Sequence, residues 1–403
     1  MLHPGFFPAW RLRGQILKRI VILGSTGSIG RSTLEIVERQ KESFLEVVGL
    51  VADTNIDQLE KQLDSFPGAV FALGKEDAHT TLTGRRPEMG ARSAGTGNSG
   101  ILKLLRETGP DLVVNGLVGI AGLSPTIEAL RQGCQVALAN KESLVTGGEL
   151  IGQEKMEMRR IIPVDSEHFS LSMCLEGDRK DVSEIILTAS GGPFYRRDYS
   201  ELGDVTVREV LDHPTWDMGD KVTVDSALML NKGFEVIEAH YLFDYPYRDI
   251  RVIIHPQSLV HSLVRLRDGS LLAHMGPADM KLPIINALYY PENVEFPWGT
   301  LKLEEIDKLE FVRFESANFP AFELAMKAAE EGGTAPAVLN AADEVAVRTF
   351  LSGNIGFLTI IEWIDNALSS HSTARVGGIE DIMEADRWTR EFLASRYEEA
   401  VII

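Results

Sequence analysis

The chain has 403 residues, enough for two or three domains at about 150 residues each, and its 44% hydrophobic and 25% charged composition is that of a folded globular protein. Forty Lys and Arg against 59 Asp and Glu leave a formal charge of -19, which excludes a broad basic surface for nucleic acid while leaving room for a local basic pocket around a small anion. No apolar run approaches the roughly 18 residues of a membrane span, and Cys134 and Cys174, with no CxxC or Cys/His spacing, make neither a disulfide framework nor a zinc site and fit a reducing cytoplasm.

The first 34 residues carry no Asp or Glu. Residues 1–18 read as an N-terminal extension, because MLHPGFFPAWRLRGQ lacks both the apolar core of a secretory signal and the Ser-rich character of a transit peptide. From 19 to 164, short apolar runs alternate with helix-length segments. The runs are Ile20–Leu23, Val47–Ala52, Ala69–Leu73, Leu112–Val114, Val136–Ala139 and Ile161–Val164, and the spacing predicts βαβ units around a buried parallel sheet. From 165 to 290 the pattern changes: Ile185–Thr188, Val252–Ile254, Leu259–Leu266 and Leu271–Met275 read as strands, the last two joined at an Asp268-Gly269 turn. One helix is predicted from about Ala227 to Phe243, and the sheet is at least partly antiparallel. Residues 291–318, with Pro291, Pro297 and Gly299 and no clear period, read as a linker. Residues 319–403 read as a helical bundle of Ala321–Glu330, Ala335–Leu351, Thr359–Leu368 and Ile379–Ser395, separated by glycines.

RIVILGSTGSIGRSTLEIV places strand, glycine turn and helix in the order a dinucleotide fold requires. Gly24 permits the tight exit from the strand, Gly27 lets backbone amides approach a pyrophosphate, and Gly30 allows close helix–strand packing. The first unit therefore reads as a Rossmann-like domain. Asp53 directly follows the second strand, where a carboxylate suits the ribose hydroxyls of NAD and repels the extra phosphate of NADP. Taken alone it points to NAD; alternatively, the run Asp53-Thr54-Asn55 caps the next helix.

IIPVDSEH sets Asp165 and Glu167 just beyond a strand, where open α/β sheets bind ligands and where hard oxygen donors select Mg2+ or Mn2+. Asn231 and Glu235 share a helical face with Lys232 beside them, so Glu235 is placed to complete a site of three carboxylates. Ser190 in SGGPF, Ser226, Asn231 and Lys232 make a candidate phosphate cradle. Trp216 and Met218, bounded by His213-Pro214 and Gly219, suit a lid that excludes water. Each pattern also has a plain reading: a capped helix, a solvated Glu/Lys face, or a Trp packed on the body. Six of the nine histidines fall between His168 and His274 without any HExxH, and most read as core or hydrogen-bonding residues.

The motifs GSTGSIG, ANKESLV, VDSEH, SGGPF, HPTWDMGDKVTVDSA, NKGFEVIEA and HPQSLVHS occur in this order. In that set the chain resembles the 1-deoxy-D-xylulose 5-phosphate reductoisomerase family over roughly residues 19 to 400. The resemblance implies an α/β protein with an N-terminal Rossmann-like dinucleotide domain, a central α/β catalytic and dimerisation domain and a C-terminal helical bundle. It implies a cytoplasmic homodimer that uses NADPH and a divalent cation, Mg2+ or Mn2+ with Co2+ as a further candidate. Asp165, Glu167 and Glu235 are implied metal ligands. Ser190, Ser226, Asn231 and Lys232, with His213 beside them, are implied phosphate contacts, and Lys141 and Ser166 contacts to substrate oxygens. Trp216 is the implied lid. Thr26, Gly27, Ser28, Ile29, Asn55, Asn140, Glu142, Met218 and Gly219 are implied cofactor contacts. The catalytic set is Lys141, Glu167, His213 and Trp216. Two departures stand out: Asp53-Thr54 replaces a Gly and a basic residue, and FSLSMCL follows VDSEH where the family has SAIFQ or NAIFQ. Competing readings are another nicotinamide oxidoreductase acting on a different phosphorylated hydroxy-ketone, and a non-catalytic dinucleotide-binding protein.

Overall fold

The protein's structure, a computed structural model, describes residues 17–40, 44–152, 160–176, 181–216, 218–292 and 294–402, so most of the N-terminal extension lies outside the described residues. The first sheet holds β1 (Lys18–Leu23), β2 (Leu45–Ala52), β3 (Val70–Leu73), β4 (Ser93–Thr96), β5 (Leu112–Asn115), β6 (Gln135–Leu138) and β7 (Ile161–Pro163). All neighbours are parallel, in the order β4-β3-β2-β1-β5-β6-β7. Helices cover both faces: α1 (Ser28–Arg39), α2 (Ile56–Ser65), α3 (Glu76–Arg85), α4 (Gly97–Thr108), α5 (Leu123–Arg131) and α6 (Glu142–Gly152). Burial on both faces explains the unbroken apolar runs, with Ile20, Val21, Ile22 and Leu23 all fully buried. The strand order reverses at β1, which opens a crevice between the carboxyl ends of β1 and β5.

The second sheet runs β11-β10-β8-β9-β12, from β8 (Val182–Ala189), β9 (Ile250–Ile254), β10 (Val260–Leu266), β11 (Leu271–Met275) and β12 (Val312–Arg313). Only β8 and β9 pair in parallel; the other pairs are antiparallel. The remaining helices are α7 (Ser166–Cys174), α8 (Val207–Leu211), α9 (Asp220–Ala227), α10 (Leu230–Phe243), α11 (Lys281–Tyr289), α12 (Pro320–Glu331), α13 (Ala335–Leu351), α14 (Thr359–Ser370) and α15 (Ile379–Arg396). One continuous core joins a face of the first sheet, through α5 and α6, to α10 and the C-terminal helices. A second core fills the other face of the first sheet beneath α1, α2 and α11, and a third lies between the second sheet, α7 and α10.

The structure corrects two sequence expectations. The helix read from Ala227 to Phe243 is broken: α9 ends at Ala227, Met229 takes φ 58°, and α10 starts at Leu230. A left-handed residue cannot be carried inside a right-handed helix. The stretch read as a linker is packed against the body. It supplies β12 to the second sheet, and the Trp298 indole donates to Glu35 on α1 at 2.9 Å while lying beneath Arg39 and Lys281. Helix α11, which follows the second sheet in sequence, returns to the first: the Lys18 ammonium donates to the Leu288 carbonyl at 3.0 Å.

Candidate functional site

The first turn of α1, the segments after β6, β7 and β8, and helices α9 and α10 line one cavity. Asp165 caps α7, its Oδ1 accepting the Glu167 N–H at 3.2 Å, which fixes the VDSE segment at the end of β7. Restarting the helix at Leu230 puts Asn231, Lys232 and Glu235 on the cavity wall. Asp165, Glu167 and Glu235 each present a carboxylate oxygen, all within 4.8 Å of one another. Octahedral coordination at about 2.1 Å sets donor oxygens about 3–4 Å apart, so an entering Mg2+ would draw the three carboxylates together. Hard oxygen donors in this arrangement fit a divalent cation.

Two ammoniums now balance these carboxylates. Lys141 lies 2.7 Å from Asp165 Oδ2 and 3.1 Å from Glu235 Oε1, and Lys232 lies 3.4 Å from Glu167 Oε1 and hydrogen-bonds Glu235. Burial works against the charge of Lys141, but Asp165, Glu235 and Glu238 outweigh it and hold its pKa well above the lysine range. Burial likewise opposes ionisation of Asp165, yet Lys141 and His168 hold it well below the usual carboxylate range. Glu167 goes the other way: burial pushes it up to about 7, Lys232 opposes this, and Glu235 and Asp165 add to it.

Behind this layer sits a pair: His168, which the sequence placed among core or hydrogen-bonding histidines, and Glu238, which it did not single out. His168 Nε2 faces the Glu235 carbonyl at 2.9 Å, and its Nδ1 lies 3.3 Å from Glu238 Oε2 and 3.4 Å from Asp165 Oδ1. Acceptors face both ring nitrogens, and although burial opposes the ring's charge, Glu238 and Asp165 raise its pKa to about 9. The signal available was the i,i+3 spacing of Asp165 to His168 and of Glu235 to Glu238 on two helices.

Ser190, Ser226, Asn231 and Lys232 line the same cavity, the last two beside Glu235. Gly191 and Gly192 take φ 86° and 64°, and a Cβ at Gly192 would stand 2.8 Å from the Ser226 carbonyl, so glycine is required for this approach. His213 stands behind the serines and outside the lining. Its Nε2 is 3.1 Å from Ser190 Oγ and 3.4 Å from Ser226 Oγ, while its Nδ1 accepts the N–H groups of Thr215 at 3.2 Å and Trp216 at 3.0 Å. Nδ1 is therefore unprotonated and the ring neutral, in line with burial pushing its pKa down. Trp216, Met218 and Gly219 line the cavity, as do Lys141 and Ser166.

On the dinucleotide side Ser28 and Ile29 reach the cavity. Gly27 caps α1 with no side-chain bond, leaving the first-turn amides open to an anion, and Thr26 lies just before it. A Cβ at Gly24 would stand 2.5 Å from the Gly116 carbonyl, and one at Gly30 would stand 2.4 Å from the Gly24 carbonyl. These residues fit a dinucleotide pyrophosphate. Asn55 caps α2 by accepting the Gln58 N–H at 3.1 Å, so the cap falls on Asn55 and not on Asp53. Asp53 is exposed, and its carboxylate lies over Gly74, where a Cβ would stand 2.0 Å from Oδ1. Asn140 and Glu142 are 1% and 6% exposed. Asn140 Nδ2 donates to the carbonyls of Leu117 and Gly119 and to Glu142, so Asn140 holds the loop after β5 from behind and Glu142 backs Asn140. Val222, Met229 and Met280 line the cavity without any sequence signal for it.

Comparison with known proteins gives a consistent answer. Residues 20–148 match the family model for 1-deoxy-D-xylulose 5-phosphate reductoisomerase, residues 161–243 match the model for its C-terminal domain, and residues 275–392 match the DXP reductoisomerase C-terminal domain. The 1-deoxy-D-xylulose 5-phosphate reductoisomerase of Desulfitobacterium hafniense (strain DSM 10664 / DCB-2) is 46% identical over 375 residues, spanning 93% of this chain and 98% of that protein. That of Caldanaerobacter subterraneus subsp. tengcongensis is 45% identical over 388 residues, spanning 94% and 100%. A crystal structure of DOX-P reductoisomerase in complex with NADPH, fosmidomycin and magnesium superposes with a TM-score of 0.86 at 34% identity, covering 94% of this chain and 98% of that one. The Zymomonas mobilis enzyme in complex with NADPH gives 0.83 at 35%, with the same coverage.

Proposed function

The chain belongs to the 1-deoxy-D-xylulose 5-phosphate reductoisomerase family, and from that premise we propose the chemistry of each residue in the cavity. The reaction converts 1-deoxy-D-xylulose 5-phosphate to 2-C-methyl-D-erythritol 4-phosphate by skeletal rearrangement and reduction, with NADPH and Mg2+ or Mn2+. The observation that carries the assignment is the meeting of three carboxylates and two ammoniums beside an anion cradle, at the open end of a dinucleotide crevice. The two competing readings are set aside by family membership together with this complete set.

Ser190, Ser226, Asn231 and Lys232 take the substrate phosphate, which supplies binding energy remote from the reacting carbons. Asp165, Glu167 and Glu235 hold the cation, whose Lewis-acid charge acts on adjacent substrate oxygens when it is bound. Lys141, kept protonated by its neighbours, adds positive charge where negative charge develops, and the Ser166 hydroxyl lies on the same wall. His213 ties the two roles together: one nitrogen binds both phosphate-side serines and the other binds the backbone of the Trp216 lid. Trp216 and Met218 exclude water from the hydride step. Ser28, Ile29 and the open α1 amides receive the dinucleotide, with Thr26 and Gly27 in the same turn.

We read residues 19–164 as the dinucleotide domain, 165–290 as the catalytic and dimerisation domain, 291–318 as a connecting strap and 319–403 as the helical domain. A homodimer is supported by the edge strand β11, which exposes Leu271, and a cytoplasmic setting by the low cysteine usage of the sequence. Among the described residues no helix is long and apolar enough to cross a membrane. The decisive assay follows NADPH oxidation with 1-deoxy-D-xylulose 5-phosphate, with and without Mg2+, and identifies the product by NMR. Metal-dependent oxidation yielding the branched tetritol phosphate is expected; oxidation without a branched product would overturn the assignment.

A further inference from the structure

The loop after β5 forms the wall of the crevice opposite the glycine turn. Its Gly116 carbonyl occupies the space beside Gly24, and the Gly116 N–H bonds the Leu23 carbonyl at 2.9 Å. Val118, on the same loop, is 66% exposed.

Asn115 pins the two ends of this loop, accepting the Leu117 N–H at 3.2 Å and donating to the Gly122 carbonyl at 3.0 Å, but its middle, Gly119-Ile120, is held from outside. Gly119 takes φ 68°, and the short 3-10 turn Gly119–Gly122 that follows has no side-chain cap of its own. The missing partner comes from the C-terminal helices. Glu344, on α13, accepts the Ile120 N–H at Oε1 over 3.0 Å. The same oxygen fills the space above Gly119, where a Cβ would stand 2.1 Å from it. Glu344 is itself fixed. Asn340 Nδ2 donates to Oε1 at 2.9 Å and Arg390 on α15 donates to Oε2 at 2.6 Å, while Asp386 holds Arg390 through two bonds of 2.8 Å. The Glu344 side chain is only 9% exposed. On its other side the loop is gripped by Asn140, which bonds the Leu117 and Gly119 carbonyls at 3.0 and 2.9 Å. A mostly buried carboxylate with two partners distant in the sequence is costly to keep for packing alone, since an apolar side chain would fill the same space.

We propose that Glu344 is a positioning residue for the dinucleotide: the C-terminal helices set one wall of the cofactor crevice through a single carboxylate bonded to the Ile120 amide. This rests on the reductoisomerase reading only for the identity of the dinucleotide as NADPH. Glu344 touches neither substrate nor metal ligands, so its removal acts on cofactor affinity and leaves the rest of the site in place.

The test is NADPH binding to the full-length protein, followed by the fluorescence of the bound nicotinamide. Glu344→Ala loses a charge-assisted bond to a loop amide, and its Kd for NADPH is expected to rise about tenfold or more. Its KM for 1-deoxy-D-xylulose 5-phosphate at saturating NADPH, and its Kd for Mn2+, stay within about twofold, a split that a general loosening of the fold does not produce. Glu344→Gln keeps an acceptor for the Ile120 N–H and recovers to within about threefold of wild type. Gly119→Ala drives a methyl group into the carboxylate at a left-handed position and reproduces the Glu344→Ala phenotype without altering α13. An unchanged NADPH Kd in Glu344→Ala or Gly119→Ala overturns the proposal, as does parallel loss of NADPH, substrate and metal binding. Failure of the wild-type protein to bind NADPH would instead overturn the cofactor assignment it rests on.

Discussion

Glu235→Gln removes one charge and almost no volume from the centre of the site. Glu235 is 2% exposed, and its carboxylate receives Lys141 at 3.1 Å together with Lys232 and Asn231. Without a metal, three carboxylates face two ammoniums. In the variant Lys141 keeps Asp165 at 2.7 Å and Lys232 keeps Glu167 at 3.4 Å, so neither ammonium is stranded. The cost of about 3–5 kcal/mol for an orphaned buried charge therefore does not arise. What weakens is the ion pairing: the amide keeps one acceptor oxygen and sets its NH2 against a donor on the other side, at about 1–3 kcal/mol of stability. The cation fares worse. Losing even an outer-shell partner lowers metal affinity about 10–100-fold, so replacing one of three anionic ligands is expected to cost at least about 100-fold in Mn2+ affinity. Turnover at saturating Mg2+ is expected to fall about 100–1,000-fold, the usual effect of removing one preorganised electrostatic group. Electron paramagnetic resonance of free Mn2+ measures the affinity, NADPH oxidation the turnover, and thermal denaturation the fold. Wild-type Mn2+ affinity with wild-type turnover would refute the argument and remove Glu235 from the metal site.

Because burial pushes Glu167 up to about 7, the metal-free protein holds a proton there below that pH, and a bound cation must displace it. The Mn2+ Kd is therefore expected to rise up to about tenfold per unit as pH falls below 7 and to level off above it, with about one proton released on binding near pH 6 by calorimetry; a Kd flat from about pH 6 to 8 would contradict this. Lys232→Ala is expected to raise the KM for substrate by about 100-fold, the worth of a buried charged phosphate contact, with Mn2+ affinity held or tightened because the lysine competes for Glu167 and Glu235; an unchanged KM would place the phosphate elsewhere. Asp53→Gly removes a carboxylate from the end of β2, and the ratio of kcat/KM for NADPH over NADH should rise about fivefold, the effect of one exposed like charge worth about 1 kcal/mol near the 2′-phosphate. An unchanged ratio would show that the carboxylate stays over Gly74, clear of the ribose.

The fold was legible wherever one local rule decides the outcome. The predicted Ala335–Leu351 helix coincides with α13, and the apolar runs of the first sheet overlap β1, β2, β3, β5, β6 and β7. β4 was not visible, because Ser93–Thr96 reads SAGT and offers no apolar run; it is an edge strand that pairs only with β3. The break at Met229 was hidden for a different reason. Apolar spacing continues through it, and nothing local marks Met229 for a left-handed backbone. The return of α11 and the strap to α1 was equally invisible. The bonds that fix it, Lys18 to Leu288 and Trp298 to Glu35, join residues 270 and 263 positions apart.

The site was legible as a group of motifs but not as layers. Asp165 and Glu167, or Asn231 and Glu235, are brought together by strand-end and helical spacing, which a sequence displays directly. Asn140, Glu142 and His213 belong to the same motifs by position and Asn55 follows the second strand, yet each spends polar atoms on the backbone or on a neighbouring side chain. Asn55 closes α2, Asn140, backed by Glu142, grips the loop after β5, and His213 divides its nitrogens between two serines and the lid. The residues that touch a ligand and those that hold the loop beneath it are neighbours in the chain, so a motif records both without separating them. The separation depends on which atoms reach the cavity surface, and that is decided by elements far away in sequence. His213 shows why it matters. Its two nitrogens are already engaged, so a substitution there shifts the phosphate serines and the Trp216 backbone together, and its kinetic effect is not evidence of contact with substrate.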